Sequence, residues 1–82
     1  MNRKHNTWRR IGQYSKDFTR ADYNYEESYI SYDRFRLCKN FSTQTQDGKW
    51  ILFSPLDKTL GKVNSNTIPW QWADAIIDKE MK

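Results

Sequence analysis

The chain has 82 residues and a formal net charge of +4 at pH 7, and four Trp, five Tyr and four Phe supply much of its apolar surface. This length allows one domain with a small core. The single cysteine, Cys38, excludes an internal disulfide, and no apolar run approaches the ~20 residues of a membrane span. We therefore expect one domain over residues 1–82 in a reducing cytoplasm, away from membranes. Homodimerisation would help to support so small a core.

Charge is unevenly distributed along the chain. Residues 1–20 carry a net charge of +5, residues 21–33 a net charge of −4, and residues 34–62 a net charge of +4. The acidic block either folds back on the basic blocks, docks a basic partner, or forms a solvated face. Such asymmetry is a clue to charged partners.

The sequence of the N-terminal third does not decide between helix and strand. Residues 1–6 are expected to form a flexible basic arm, since they offer nothing to bury. Residues 8–18 fit a helix, with Trp8, Ile11 and Phe18 on one face, and also a strand, with Trp8, Tyr14 and Phe18 on one face. The spacing of Thr19 and Asp22 resembles a capping box, which favours a short helix over about residues 20–28.

Residues 29–38 alternate in a pattern that predicts a strand. Tyr32, Arg34 and Arg36 would then share one face of it. Asp47-Gly48 predicts a two-residue hairpin turn between residues 41–46 and 49–53, with Thr45 opposite Trp50.

The strand over residues 49–53 should end at Ser54-Pro55, because proline cannot donate a ladder hydrogen bond. Thr59–Val63 is predicted to return as a further strand. Gly61 would mark a bulge or a close approach of another element.

The C-terminal helix has the clearest pattern. Pro69 suits a first helical turn, where its missing N–H is not needed. An apolar stripe would pack on the sheet, and polar residues would lie opposite it. The stripe comprises Ile68, Trp72, Ala73, Ile76 and Ile77, and the opposite face Gln71, Asp74 and Asp78. The expected fold is an α+β domain, with a three- or four-stranded antiparallel sheet packed by this amphipathic helix. The pattern also allows a short N-terminal helix.

From Asp47 to Asp78 the order of hairpin, "LGKV" strand and amphipathic helix resembles the DNA-binding modules of plant AP2-type factors and integrase arm-binding domains. The resemblance covers about 40% of the chain. It implies a three-stranded sheet whose face reads DNA. It carries over no site residue.

Catalysis is not expected. His5 is the only histidine, so a general base or a His-paired nucleophile has no partner on the folded domain. Cys38 and His5 cannot form a zinc site, and the three glycines form no phosphate-binding loop. We expect no cofactor and no metal.

Aromatic and basic residues alternate along the chain, as in Trp8-Arg9-Arg10 and Arg34-Phe35-Arg36. Guanidinium groups bind phosphates and aromatic rings stack on bases, so this pattern favours nucleic acid, with RNA or a single strand preferred. Two readings compete with it: Trp8 could anchor the chain in the core, and Arg34 and Arg36 could protect an edge strand from aggregation. The candidate residues are Arg3, Lys4, Trp8, Arg9, Arg10, Tyr32, Arg34, Arg36 and Lys49.

A protein-binding inhibitor or adaptor is the alternative function. Tyrosine is frequent at interface hot spots, and the acidic, Tyr-rich block would suit a basic target. One form of this alternative is a virus-encoded inhibitor of a host nucleic-acid enzyme such as a nuclease. Its candidate residues are Tyr25, Glu26, Glu27 and Tyr29.

Overall fold

The computed structural model describes residues 8–11, 15–41 and 49–81. Within them, five strands form one antiparallel sheet in chain order. The strands are β1 (Arg9–Arg10), β2 (Glu27–Ile30), β3 (Arg36–Lys39), β4 (Trp50–Phe53) and β5 (Thr59–Val63). A 3-10 helix spans Arg20–Asn24, and the helix α1 spans Trp70–Glu80. The α+β class is confirmed, but the sheet has five strands instead of three or four.

The predicted single strand over residues 29–38 is wrong, because the chain reverses at Ser31–Phe35. Ile30 pairs with Arg36 across the resulting hairpin. The Ser31 hydroxyl accepts a hydrogen bond from the Phe35 N–H at 3.1 Å, and such a local side-chain bond competes with strand formation. Arg34 therefore lies in a turn and Arg36 begins a new strand, so the predicted cationic strand face does not exist.

Trp50 of β4 pairs with Lys39 of β3 and with Val63 of β5. The strand predicted to pair with β4 over residues 41–46, with Thr45 opposite Trp50, lies outside the described residues except for Phe41. The register between β3 and β4 sets Leu37 opposite Leu52, and both side chains are fully buried. Burial of apolar pairs specifies register because a one-residue slip would turn them outward. The predicted turn residues Asp47 and Gly48 lie outside the described residues.

Gly61 of β5 fulfils both roles predicted for it. Leu52 pairs with Gly61 while Phe53 pairs with Thr59, so the ladder shifts register at this point. A Cβ atom on Gly61 would lie 3.1 Å from Cζ2 of Trp72 and 3.2 Å from Cδ1 of Ile76. The absence of a side chain thus lets α1 pack closely on β5.

Helix α1 covers one face of the sheet and also contacts the segment before β1. Ala73 and Ile77 are fully buried, as the apolar stripe predicted. Asp74, expected on the solvent face, is instead buried and accepts a hydrogen bond from Nε1 of Trp8 at 3.3 Å. The Trp8 ring lies 5.4 Å from that of Trp70. Trp8 therefore anchors the core, and its prediction as a base-stacking surface residue is wrong.

Residues 15–26 cover the opposite face of the sheet. The capping box is confirmed, since the Thr19 N–H donates to Oδ2 of Asp22 at 2.9 Å, but the helix that follows is a single 3-10 segment of five residues. Tyr25 packs edge-on against Phe53 with ring centroids 5.8 Å apart. Cys38, on this face of β3, is fully buried. The open sheet face implied by the AP2-like order of elements is thus occupied by the chain itself.

Candidate nucleic-acid interface

Arg9 and Arg34 meet at one buried carboxylate. Oδ2 of Asp17 accepts a hydrogen bond from Nη2 of Arg9, and Oδ1 pairs with Nη1 of Arg34 at 2.8 Å. The Asp17 side chain is 1% exposed, whereas those of Arg9 and Arg34 are 54% and 58% exposed. The carboxylate therefore holds two half-exposed guanidinium groups side by side and offsets their mutual repulsion.

A local turn positions Asp17. Ser15 accepts from the Phe18 N–H at 3.0 Å through its carbonyl and from the Asp17 N–H at 3.1 Å through its hydroxyl. Burying an unpaired carboxylate would be costly, and the two arginines share its compensation, so either one alone leaves Asp17 paired. Sequence reasoning did not select Asp17. The available signal was that it is the single acidic residue among the basic side chains of residues 1–20.

Tyr32 lies beside the two arginines and is 79% exposed. Together with Arg9, Ser31 and Arg34 it lines an open groove of about 660 Å³. We name Arg9, Tyr32 and Arg34, with Asp17 beneath them, the arginine–tyrosine patch. It combines permanently charged, planar donors with one exposed ring, which suits a ligand that carries both anionic and aromatic groups.

Arg34 has an unusual backbone conformation for a non-glycine residue, with φ of 73°. It occupies the last position of a turn in which its N–H donates to the Ser31 carbonyl at 3.0 Å. Hairpins of this kind favour glycine there, since a Cβ is strained at positive φ. The guanidinium is thus held in the patch despite a backbone cost, and such strain is often found at functional positions.

Arg36 does not contribute to this surface, contrary to the prediction. It is 5% exposed, and its Nη1 donates to both carboxylate oxygens of Asp22, at 3.0 and 2.9 Å. Nη1 also donates to the Thr19 hydroxyl at 2.9 Å, and Nη2 to Oδ1 of Asp57. Its guanidinium is taken up by interactions that join the 3-10 helix to the β4–β5 turn, so its role is structural.

The other predicted nucleic-acid residues lie elsewhere. Arg10 pairs with Tyr29 and so projects from the opposite face of β1 to Arg9. Lys49 precedes β4 and donates to Oδ1 of Asn66 at 3.0 Å. Arg3 and Lys4 lie outside the described residues. Of the nine predicted residues, the structure brings together Arg9, Tyr32 and Arg34.

A second surface contains most of the predicted protein-binding residues. Tyr25, Glu26 and Glu27 line a cleft of about 470 Å³ at the start of β2, the end of this strand opposite the patch. We call this the aromatic cleft. Its other lining residues are Arg10, Ile11, Phe18, Tyr23, Ser28 and Phe41.

Tyr29 belongs to the core side of the sheet and not to the aromatic cleft. Its ring is 5.1 Å from that of Trp70, and its hydroxyl donates to Oε2 of Glu27 at 2.6 Å. Burial, reinforced by this hydrogen bond, raises the pKa of Tyr29 above its ordinary value.

The acidic block folds back on basic residues, one of the three arrangements considered from sequence. Asp22 pairs with Arg36 at 2.9 Å, and Glu26 with Lys39 at 3.2 Å. These pairs join residues 15–26, which cover one face of the sheet, to β3. They leave the acidic block with less uncompensated negative charge than its net charge of −4 suggests.

Cys38 is a core residue. Burial raises the pKa of its thiol to about 12, so it is protonated at neutral pH. Residues 8–11, 15–41 and 49–81 contain no cluster of three or more His, Cys, Asp or Glu side chains placed to hold a metal ion. In the same part of the chain, no helix has the length and apolar character needed to cross a membrane.

Comparison with known proteins gives no relative: no family model, no curated protein and no solved structure matches the chain.

Proposed function

We propose that this protein binds single-stranded nucleic acid, with RNA preferred, through the arginine–tyrosine patch and without catalysis. The observation that carries the proposal is the pairing of Arg9 and Arg34 on Asp17 beside an exposed tyrosine. A guanidinium has more N–H donors than one carboxylate oxygen can accept, so each arginine keeps donors for phosphate oxygens. The Tyr32 ring offers a face for an unpaired base.

Single strands suit this site better than a duplex. A base inside a duplex has both faces stacked, so an exposed tyrosine ring gains little from it. Helix α1 is also a poor recognition helix: it packs on the sheet, and Glu80 and Asp78 would repel phosphate in a groove. Arg3 and Lys4 precede the patch closely in sequence, and we propose that they add phosphate contacts through charge alone.

The test is a fluorescence-anisotropy titration of a short single-stranded RNA and a matched DNA duplex at two salt concentrations. The variants are Arg34→Gly and the charge-matched control Lys79→Gln on α1, which covers the other face of the sheet. The proposal expects binding to the single strand that weakens with salt, loss of affinity in Arg34→Gly, and little change in Lys79→Gln. Equal weakening by both variants would indicate only general attraction of a basic protein, and no binding at low salt would refute the proposal.

A second candidate function, a protein-binding inhibitor or adaptor, is supported by the aromatic cleft. Tyr23 and Phe41 are exposed large apolar residues at its rim, and aromatic side chains of this kind are common in interface hot spots. Its test is affinity capture with Tyr23→Ser beside Tyr32→Ser, which alters the patch instead. A partner lost only in Tyr23→Ser would favour the cleft. A partner lost only in Tyr32→Ser would assign protein binding to the patch.

A further inference from the structure

Two hairpin turns of the sheet share one hydrogen-bonding pattern. In Ser31–Phe35 and in Ser54–Lys58, the serine N–H donates to the carbonyl of the fifth residue, at 2.9 and 2.8 Å. The fourth N–H donates to the serine carbonyl, at 3.0 and 2.9 Å. In both turns the serine hydroxyl accepts the fifth N–H at 3.1 Å. The fourth residues, Arg34 and Asp57, both have positive φ, 73° and 66°. The two turns therefore have the same hydrogen-bonded conformation.

Both turns display an exposed apolar side chain and a cation, at positions offset by one residue. Tyr32 and Arg34 are the second and fourth residues of the first turn, whereas Leu56 and Lys58 are the third and fifth residues of the second. Leu56 is 91% exposed and Tyr32 is 79% exposed, the highest values among the exposed large apolar residues of the described chain. Lys58 is also exposed. A turn fixed by its own hydrogen bonds holds these side chains in water instead of letting them fold back.

The two turns lie at the same end of the sheet, because they connect β2 to β3 and β4 to β5. They are separated by two strand spacings, or about 10 Å. Arg34 lines one small depression of about 150 Å³ together with Pro55 and Asp57 of the second turn. The Asp57 carboxylate accepts from Nη2 of Arg36, which partly compensates its charge. The surface is therefore continuous from the patch to the second turn.

We propose that the β4–β5 turn is the second half of the nucleic-acid site, with Leu56 packed on a base and Lys58 on a phosphate. This proposal rests on the proposed function and adds a minimum ligand length. A separation of about 10 Å equals about three steps at the ~3.4 Å spacing of stacked bases, and a strand with splayed bases is longer per step, so about four nucleotides suffice to reach both turns. Leucine is among the apolar side chains that minor-groove proteins insert between the bases of duplex DNA, so a leucine side chain can pack on a base face.

The experiment measures affinity for single-stranded RNAs of about two, four and eight nucleotides. Leu56→Ser is compared with the unmodified chain and with Met81→Ser, which removes another exposed apolar side chain at the end of α1. Leu56 is almost fully exposed, so its replacement leaves the core intact, and an unchanged unfolding midpoint verifies this.

We expect Leu56→Ser to match the unmodified chain on about two nucleotides and to bind about eight nucleotides roughly fivefold or more weakly, since one base contact is lost. Met81→Ser should match the unmodified chain at every length. Binding that depends on Arg34 but is equal in Leu56→Ser and the unmodified chain at all lengths would overturn the second half-site and leave the proposed function standing. Absence of any Arg34-dependent binding would overturn both.

Discussion

Arg34 occupies a backbone position that favours glycine, so Arg34→Gly should separate binding from stability. Relief of a strained left-handed conformation contributes about 1–2 kcal/mol in favour of the variant. The greater freedom of glycine in the unfolded chain opposes this by about 0.4–1 kcal/mol. Loss of the ion pair with Asp17 removes about 0–1 kcal/mol, because the arginine is more than half exposed and solvent screens the pair. Combined, these ranges give between about 1 kcal/mol of destabilisation and about 1.6 kcal/mol of stabilisation, with a centre near zero.

Binding, in contrast, should weaken. A hydrogen bond between charged groups contributes about 1.5–3 kcal/mol, so we expect Kd for single-stranded RNA to rise about tenfold or more. Removal of one phosphate contact should also reduce the slope of log K against log salt concentration by about 0.7. Arg34→Lys keeps the charge but not the planar guanidinium, so its Kd should lie between those of the unmodified chain and Arg34→Gly.

The assay pairs thermal unfolding with anisotropy titrations on the same preparations. For a chain of this size, about 1 kcal/mol corresponds to a Tm shift of about 4–8 °C. The expected result is weaker binding with a Tm that falls by no more than about 8 °C. A larger fall in Tm would refute the strain argument, and an unchanged Kd would refute the role of Arg34 in binding.

Three further predictions concern stability. Arg36→Gln should destabilise the fold by about 3–5 kcal/mol in urea unfolding, because it leaves buried Asp22 without its cation; Asp22→Asn in the same chain should recover part of the loss, and no recovery would show that the charge is not the cause. The Cys38 thiol has a pKa of about 12 in the fold against an ordinary 9.0, so the unfolded chain loses this proton first. The free energy of unfolding should therefore fall as pH rises from about 9 to 12, by on the order of 1 kcal/mol at about pH 10. Cys38→Val should flatten that part of the pH profile, and an identical slope in both proteins would contradict the assignment. Gly61→Val should lower the free energy of unfolding, measured in urea, by about 1–3 kcal/mol, since its added carbons would press on Trp72. An equally stable variant would show that α1 can move away.

Local patterns in the sequence determined the C-terminal half of the fold. The apolar periodicity after Pro69 predicted α1, and the apolar run ending at Ser54-Pro55 predicted β4. The role of Gly61 was predicted because a glycine within a strand usually marks a bulge or the close approach of another element. These signals depend on neighbours a few residues away, where periodicity and turn chemistry act directly.

Tertiary structure decided the site. A period-two pattern over residues 29–38 does not distinguish one strand from a hairpin, and only the pairing of Ile30 with Arg36 shows that Arg34 lies in the turn. Which arginine reaches the surface depends on the buried carboxylates: Asp22 holds Arg36 inside, whereas Asp17 holds Arg34 at the surface. These partners lie 14 and 17 positions apart in the chain, and the free energy of burying a charge, which selects them, exists only once the layers have packed.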